Sequence, residues 1–236
     1  MGRVALRNPF PKEEKMQSQD HQVFCGDSRS VLRQLPARSV DLVVTDPPYL
    51  CRYRDRDGRT IANDDNPQVI LSVFEELARV MKPKSYCVSF YGWNAISVFG
   101  NAWARAGFTC VGHVVWVKPY AASKGHTARY HESAFVLAKG YPPKPNNPLP
   151  DVLSWEYTGN RHHPTEKAVS VIEPLVRAFS KPGDTVLDPF AGSGSTAVAA
   201  ALNERRTIGI ELDSRYCEIA CRRINGALGE IKPQAA

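Results

Sequence analysis

Val40-Asp41-Leu42-Val43-Val44-Thr45-Asp46-Pro47-Pro48-Tyr49 is the stretch whose reading decides the fold. Its β-branched, apolar first part reads as a short buried strand. An acid, two prolines and an aromatic then replace that pattern, so the strand's carboxyl end opens into a stiff loop with reactive groups. In open parallel sheets, ligands bind at such ends.

A second anchor lies downstream. Thr185-Val186-Leu187 runs into Asp188-Pro189-Phe190-Ala191-Gly192-Ser193-Gly194-Ser195, followed by a helical stretch from Thr196 to Leu202. Strand, glycine turn and helix in that order bring backbone N–H groups and a helix N-terminus close to a nucleoside ligand. A further strand, Thr207-Ile208-Gly209-Ile210, ends in Glu211 and Leu212. Glu211 lies about 20 residues beyond the turn, the spacing at which an acid meets a ribose hydroxyl. A phosphate cradle fits less well, because the P-loop lysine pattern is absent and flanking acids repel phosphate.

Working outward, the chain keeps an α/β rhythm. Residues 1–20 are polar and aperiodic and read as a mobile arm, with one domain over 21–236. Strand Val23-Phe24-Cys25, turn Gly26-Asp27 and a helix over 30–35 precede the reaction strand. Residues 50–66 mix arginines and acids with little apolar content and read as a mobile loop. Asn66-Pro67 caps a helix ended by Lys82-Pro83, followed by a strand over 86–90 and a helix over 95–106. Strands over 108–117 and 133–137 form an antiparallel pair joined by a long loop. Residues 139–164 are irregular and precede a helix over 165–180, which Pro174 should kink. A final helix spans 214–228. The expected fold is a single-domain, doubly wound, mostly parallel seven-stranded α/β sheet with an antiparallel strand pair at the edge.

The 236 residues, 43% of them hydrophobic, suffice for one sizeable core. A net charge of +6 suggests an anionic partner. No apolar run reaches membrane-span length and the N-terminus lacks a signal-peptide core, so a cytoplasmic protein with no membrane partner is expected. Six scattered cysteines without a C-x-x-C pair indicate free thiols, with Cys217 and Cys221 as buried apolar residues. The six histidines fall in no zinc spacing, so no metal is expected.

Asp46 to Tyr49 and Asp188 to Ser195 together resemble the reaction and cofactor motifs of the DNA amino-methyltransferases, which modify exocyclic nitrogens of adenine or cytosine with S-adenosylmethionine. The reaction motif comes first, as in the circularly permuted, or β, group. His163-Pro164-Thr165-Glu166-Lys167 is similar to the family segment His-Pro-Thr-Gln-Lys-Pro, with Glu166 in place of Gln and Ala168 in place of the last Pro. The resemblance runs from Gln22 to Ile224. It implies a permuted Rossmann-like methyltransferase fold, in which joining the last helix to Gln22 would restore a continuous run of cofactor strand, Thr207 strand, Cys25 strand and reaction strand.

The resemblance also implies roles. Asp46 and the Pro47 carbonyl would accept the two N–H bonds of the target amine, Pro48 would stiffen the loop, and Tyr49 would stack on a flipped base. Of the cofactor, Lys167 and Thr165 would hold the carboxylate, Asp188 the ammonium, Glu211 the ribose and Asp27 the adenine amine. Phe190, Ala191, Gly192, Ser193, Gly194, Ser195 and Leu212 would line it. Thr165 reads equally well as a helix N-cap. Arg52, Arg54, Arg56, Arg59, Lys118, Lys124, Arg129 and Arg161 are candidate contacts to double-stranded DNA, with solvated surface charge as the alternative. Trp93 and Trp116 read as core; Trp155 and Tyr157 read as packing or base contacts.

The expected activity is transfer of methyl to N6 of a flipped adenine, as in restriction–modification. An acid in the first motif position favours adenine within the family, with N4 of cytosine as the alternative. Cytosine C5 methylation is disfavoured, since it needs a Pro-Cys nucleophile and no Cys here follows a Pro. The alternative from another class is a non-catalytic DNA-binding or regulatory protein. Residues 139–164 are the short candidate target-recognition segment. Members of the permuted group are often dimers, so a homodimer is a further expectation.

Overall fold

The computed structural model describes residues 5–7, 20–55, 58–124 and 126–230. Its elements are β1 (Ala5–Arg7), β2 (His21–Cys25), α1 (Ser28–Gln34), β3 (Val40–Thr45), α2 (Pro67–Val80), β4 (Met81–Phe90), α3 (Ile96–Arg105), β5 (Phe108–Val117), β6 (Ser123–Lys124), β7 (Ala128–Arg129), β8 (His131–Lys139), β9 (Val152–Ser154), α4 (Val169–Phe179), β10 (Thr185–Asp188), α5 (Ser195–Leu202), β11 (Arg206–Glu211) and α6 (Ser214–Glu230). The main sheet has nine strands in the order β1-β2-β11-β10-β3-β4-β8-β5-β9. All its pairings are parallel except those of β8, which runs antiparallel to both β4 and β5.

The seven expected strands are all present, and β10, β11 and β2 stand side by side with β3 on the other flank of β10. Two three-residue edge strands are added. Within the segment read as an arm, β1 pairs with β2 (Ala5 opposite Gln22), and the rest of that segment, apart from Asp20, lies outside the described residues. Within the segment read as irregular, β9 pairs with β5 (Val115 opposite Val152), so the antiparallel pair sits one strand in from the edge. Three residues are too few to show a period of two, and such strands form because a sheet edge offers unpaired N–H and C=O groups.

Helices cover both faces. Val43, Cys87 and Leu187 point to the side of α1, α2 and α3, where Ile70, Phe74, Phe99 and Trp103 are buried. Leu42, Val44, Val88 and Val186 point to the other side, against α4 and α5. Cys217 and Cys221 are buried between α5 and α6 as free thiols. This alternation on β3 and β10 explains their nearly all-apolar sequence, since both faces are covered.

Local signals set most helix ends. Asn66 accepts a hydrogen bond from the Gln68 N–H with Pro67 in the first helical position, as expected for α2. The other capping expectation fails: α4 begins at Val169 with Ala168 before it, so Thr165 is not its cap. It continues through Pro174 to Phe179. Trp116 is buried at 1% exposure, whereas Trp93 is 63% exposed in a short 3-10 turn after β4, which corrects its reading as core.

Residues 50–66 carry more internal structure than their composition suggests. Asp64 is buried and accepts from the Tyr53 N–H at 2.6 Å and the Cys51 thiol at 3.3 Å. Asp55 accepts from the Arg59 backbone N–H at 2.7 Å and pairs with its guanidinium at 2.6 Å. Removing a buried acceptor leaves its donors unsatisfied, at about 1–3 kcal/mol. Asp64→Ala is therefore expected to speed amide exchange at Tyr53 and its neighbours without lowering the global unfolding midpoint, as hydrogen-exchange mass spectrometry would show.

Candidate active site at the carboxyl ends of the parallel strands

Register brings the acids together. Leu42 and Val43 stand opposite Val186 and Leu187, so Asp46 and Asp188 follow adjacent strand ends. Asp188 stands opposite Gly209, and Glu211 opposite Cys25, so Glu211 and Asp27 continue the row. Asp27, Asp46 and Glu211 border a cleft of about 1230 Å³, and Asp46 also borders a small adjoining recess with Asp188, Thr165 and Ser193.

Asp46 ends the row, directly after β3. Its Oδ2 accepts from the Lys167 ammonium. Its Oδ1 is shielded from solvent and has no hydrogen-bond partner among the described residues. Burial pushes its carboxyl above the usual range, against the opposing pull of Lys167. The Lys167 ammonium also lies 3.4 Å from the Tyr49 hydroxyl and 4.7 Å from the centre of the Phe90 ring. Burial, then the nearby Asp46 and Glu132 charges, push the Tyr49 hydroxyl well up, so it is a neutral donor. It donates to Glu132 at 3.4 Å, and Glu132 pairs with Lys118 at 2.6 Å.

The glycine turn is shaped by close approach. Gly192 and Gly194 have φ of +51° and +85°, and a Cβ on Gly194 would lie 2.8 Å from that of Ala220. The turn also neutralises acids with backbone dipoles. Glu211 accepts from the N–H groups of Gly192 and Asp213, each at 2.8 Å, and Asp188 accepts from that of Phe190 at 3.0 Å. Burial pushes the Asp188 carboxyl up to about 7, with the Asp46 and Glu211 charges adding to it. Burial also raises Glu211. His163 stands against the turn, its ring 3.5 Å from a Cβ built on Gly192, and burial lowers it to about 4, so it is neutral.

The structure places the expected cofactor residues as follows. Phe190, Ala191, Gly192, Ser193 and Ser195 line the recess, while Glu211 and the half-exposed Leu212 line the cleft. Asp27 also borders the cleft, where its carboxylate caps α1 and pairs with Arg29 at 2.8 Å, a guanidinium contact that lowers its pKa. Thr165 bonds to His163 Nδ1 at 3.2 Å. Lys167 pairs with Asp46, a contact the resemblance did not imply.

The candidate DNA residues divide further. Arg54, Arg59 and Arg129 border the cleft. Arg52 and Arg161 are exposed but outside its lining, and Arg161 Nε donates to the Thr158 carbonyl at 3.1 Å. Lys118 is 7% exposed and bound to Glu132, which corrects its reading as a surface phosphate contact. Arg56 and the Lys124 side chain lie outside what the structure describes. Trp155 is half-buried against the core and also lines the cleft, with the Lys118 ammonium 4.5 Å from its ring, and Tyr157 is 59% exposed on the cleft against Tyr120.

Sequence reasoning missed Glu132, Gly92 and Arg223. An acid opening the otherwise apolar β8 was a signal for Glu132. Nothing local marks Gly92, yet a Cβ there would sit 2.9 Å from the Tyr49 Cβ and closer still to the Tyr49 carbonyl. Arg223 donates to the Ser193 carbonyl at 2.8 Å and pairs with Glu166 at 3.2 Å, which gives Glu166 a defined partner.

The family model for DNA methylases of the N6/N4 type matches residues 40–222, and the chain belongs to that family. A candidate methylase of Escherichia coli (strain K12), YubD, is 49% identical over 211 residues, covering 89% of this chain and 93% of that protein. The DNA adenine methyltransferase YhdJ of the same organism is 29% identical over 248 residues, covering 87% and 83%. A candidate DNA modification methylase of Thermus thermophilus, solved in complex with S-adenosyl-L-methionine, superposes with a TM-score of 0.68 at 26% identity, covering 89% of this chain and 97% of that one.

Because the reaction loop rests on Gly92, Gly92→Ala should displace it by a fraction of an ångström or more. Misplacement near 1 Å costs about 100-fold in rate. Single-turnover methylation should fall by about that factor, and thermal unfolding should move down as well, since the clash is with a backbone oxygen.

Proposed function

We propose that this chain transfers the methyl group of S-adenosylmethionine to the exocyclic N6 amine of adenine in double-stranded DNA. The observation that carries the reading is Asp46, a shielded carboxylate with one unfilled acceptor oxygen in the lining of the cleft. When bound, the cofactor supplies an electrophilic methyl on a sulfonium cation. Asp46 and the Pro47 carbonyl would accept the two N–H bonds of the target amine and turn its lone pair towards that methyl. Tyr49 would stack on the base, an interaction worth about 1–3 kcal/mol. A base inside a duplex cannot reach this depth, so the target nucleotide must flip out.

The residues present suit such a cofactor. Asp188 and Glu211 each use backbone N–H groups for part of their acceptor capacity and keep lone pairs for an ammonium and ribose hydroxyls. Crowding of acids favours a cationic ligand and disfavours a phosphate. Adenine is supported by the acid at position 46 and by the similarity to YhdJ; N4 of cytosine is the alternative, since the same acceptors serve both amines. Among the described residues no helix is long and apolar enough to cross a membrane. Residues 139–164, which place Trp155 and Tyr157 at the cleft, are the segment we assign to target recognition.

Incubation with labelled S-adenosylmethionine and unmethylated duplex DNA, followed by nucleoside analysis, should place label in N6-methyladenine. Label in N4-methylcytosine would change the base; none on DNA would overturn the reading. Asp46→Ala should abolish transfer and retain cofactor binding.

Asp188 generates a pH dependence. Its free carboxyl titrates near 7, and only the ionised form pairs with the cofactor's ammonium. Affinity should be full above that pH and fall below it, by up to about tenfold per pH unit. Calorimetry in buffers of different ionisation enthalpy should detect proton release below pH 7, and Asp188→Asn should remove it.

A further inference from the structure

We propose that Lys167 is a positioning residue for methyl transfer: its ammonium occupies Oδ2 of Asp46 and holds the carboxylate ionised, leaving Oδ1 as the acceptor for the target amine. The proposal rests on the reading of Asp46 as that acceptor. Geometry supports it in three ways. Lys167 has 8% of its side chain exposed and Asp46 has 22%, so the pair is largely withdrawn from water, where a charge needs a partner. Oδ1 has no donor among the described residues, so the carboxylate is half satisfied and keeps one site open. The ammonium is itself fixed, by the Tyr49 hydroxyl at 3.4 Å and the Phe90 ring at 4.7 Å.

An acid in this position must be ionised to serve only as an acceptor. A protonated Asp46 would donate its O–H to the amine lone pair, which must stay free to attack the methyl. The groups that face Asp46 are Tyr49 from its own loop, Glu132 from β8, Asp188 from β10 and Lys167 from the segment before α4. Glu132 and Asp188 favour the protonated form, Tyr49 is a neutral donor, and Lys118 is engaged by Glu132. Lys167 is the cation bonded to Asp46 among the described residues. A lysine that served only a cofactor carboxylate would leave Asp46 without that counter-charge.

The test combines a titration that needs no DNA with kinetics. Asp46 is followed by carboxyl-carbon NMR in protein labelled with 13C-aspartate, assigned by its loss in Asp46→Asn. Lys167→Met should raise its midpoint by about 1–3 pH units, the usual effect of losing an adjacent opposite charge. Single-turnover methylation at pH 7 should fall about 100-fold, with the acid limb of its pH profile moved up by the same interval. Cofactor affinity should change by less than about threefold, and Lys167→Arg should recover most of the rate.

An unmoved Asp46 titration overturns the proposal. So does weakened cofactor binding with an unchanged single-turnover rate, which would put the ammonium on the cofactor carboxylate. If Lys167→Met does not fold, the wild type decides: Asp46 protonated at pH 6 overturns the proposal, and ionised there with Lys167→Arg active supports it. A wild type that shows the titration but methylates no DNA overturns the underlying functional reading and leaves the ionic contact standing, so the two failures are distinct.

Discussion

Parallel pairing of β3 with β10, Leu42 against Val186 and Val43 against Leu187, is the constraint on which the site depends. Side chains alternate along each strand, so a slip of one residue would turn every buried side chain to the opposite helix layer. Both layers are apolar, and the register is therefore held by burial on both faces. Asp46 and Asp188 are carried on strand ends fixed in this way. The relative placement of the reaction loop and the glycine turn starts from this hydrophobic register.

That placement concentrates negative charge where water is scarce. Asp46, Asp188 and Glu211 are each raised by burial, and the fold compensates them differently. Glu211 and Asp188 draw on backbone N–H groups of the turn and its neighbours, which neutralise without adding a titratable group. Asp46 draws on a full positive charge, from Lys167. A chain of alternating charges then runs from Lys167 and Tyr49 through Glu132 to Lys118, linking α4's leading segment, β3, β8 and the end of β5. Such a network is strong when complete and costly when one member is missing.

Glu166 and Arg223 form a second link of this kind. Glu166 accepts from the His162 N–H at 3.1 Å and pairs with Arg223, which also bonds the Ser193 carbonyl and the Ser193 and Ser195 hydroxyls. The final helix is thereby tied to both the glycine turn and the His-Pro-Thr segment. Residues far apart in the chain meet here because α5 and α6 lie side by side on one face of the sheet.

The sequence alone determined the α/β class, the seven principal strands and the order of the two loops, and it singled out Asp46, Tyr49, Asp188, Gly192 and Glu211, which the structure gathers around one cleft and its recess. These are local signals: a buried strand, a proline-stiffened turn or a positive-φ glycine is written within a few adjacent residues. Only the tertiary structure decided that Lys167 lies on Asp46, that Lys118 is buried against Glu132, that Gly92 supports Tyr49, that Trp93 is exposed, and that two short edge strands complete the sheet. Each of these joins segments distant in sequence, apart from the exposure of Trp93, which depends on what the rest of the fold leaves uncovered. Burial and ion pairing depend on what stands across the gap, and no window of neighbouring residues contains that information.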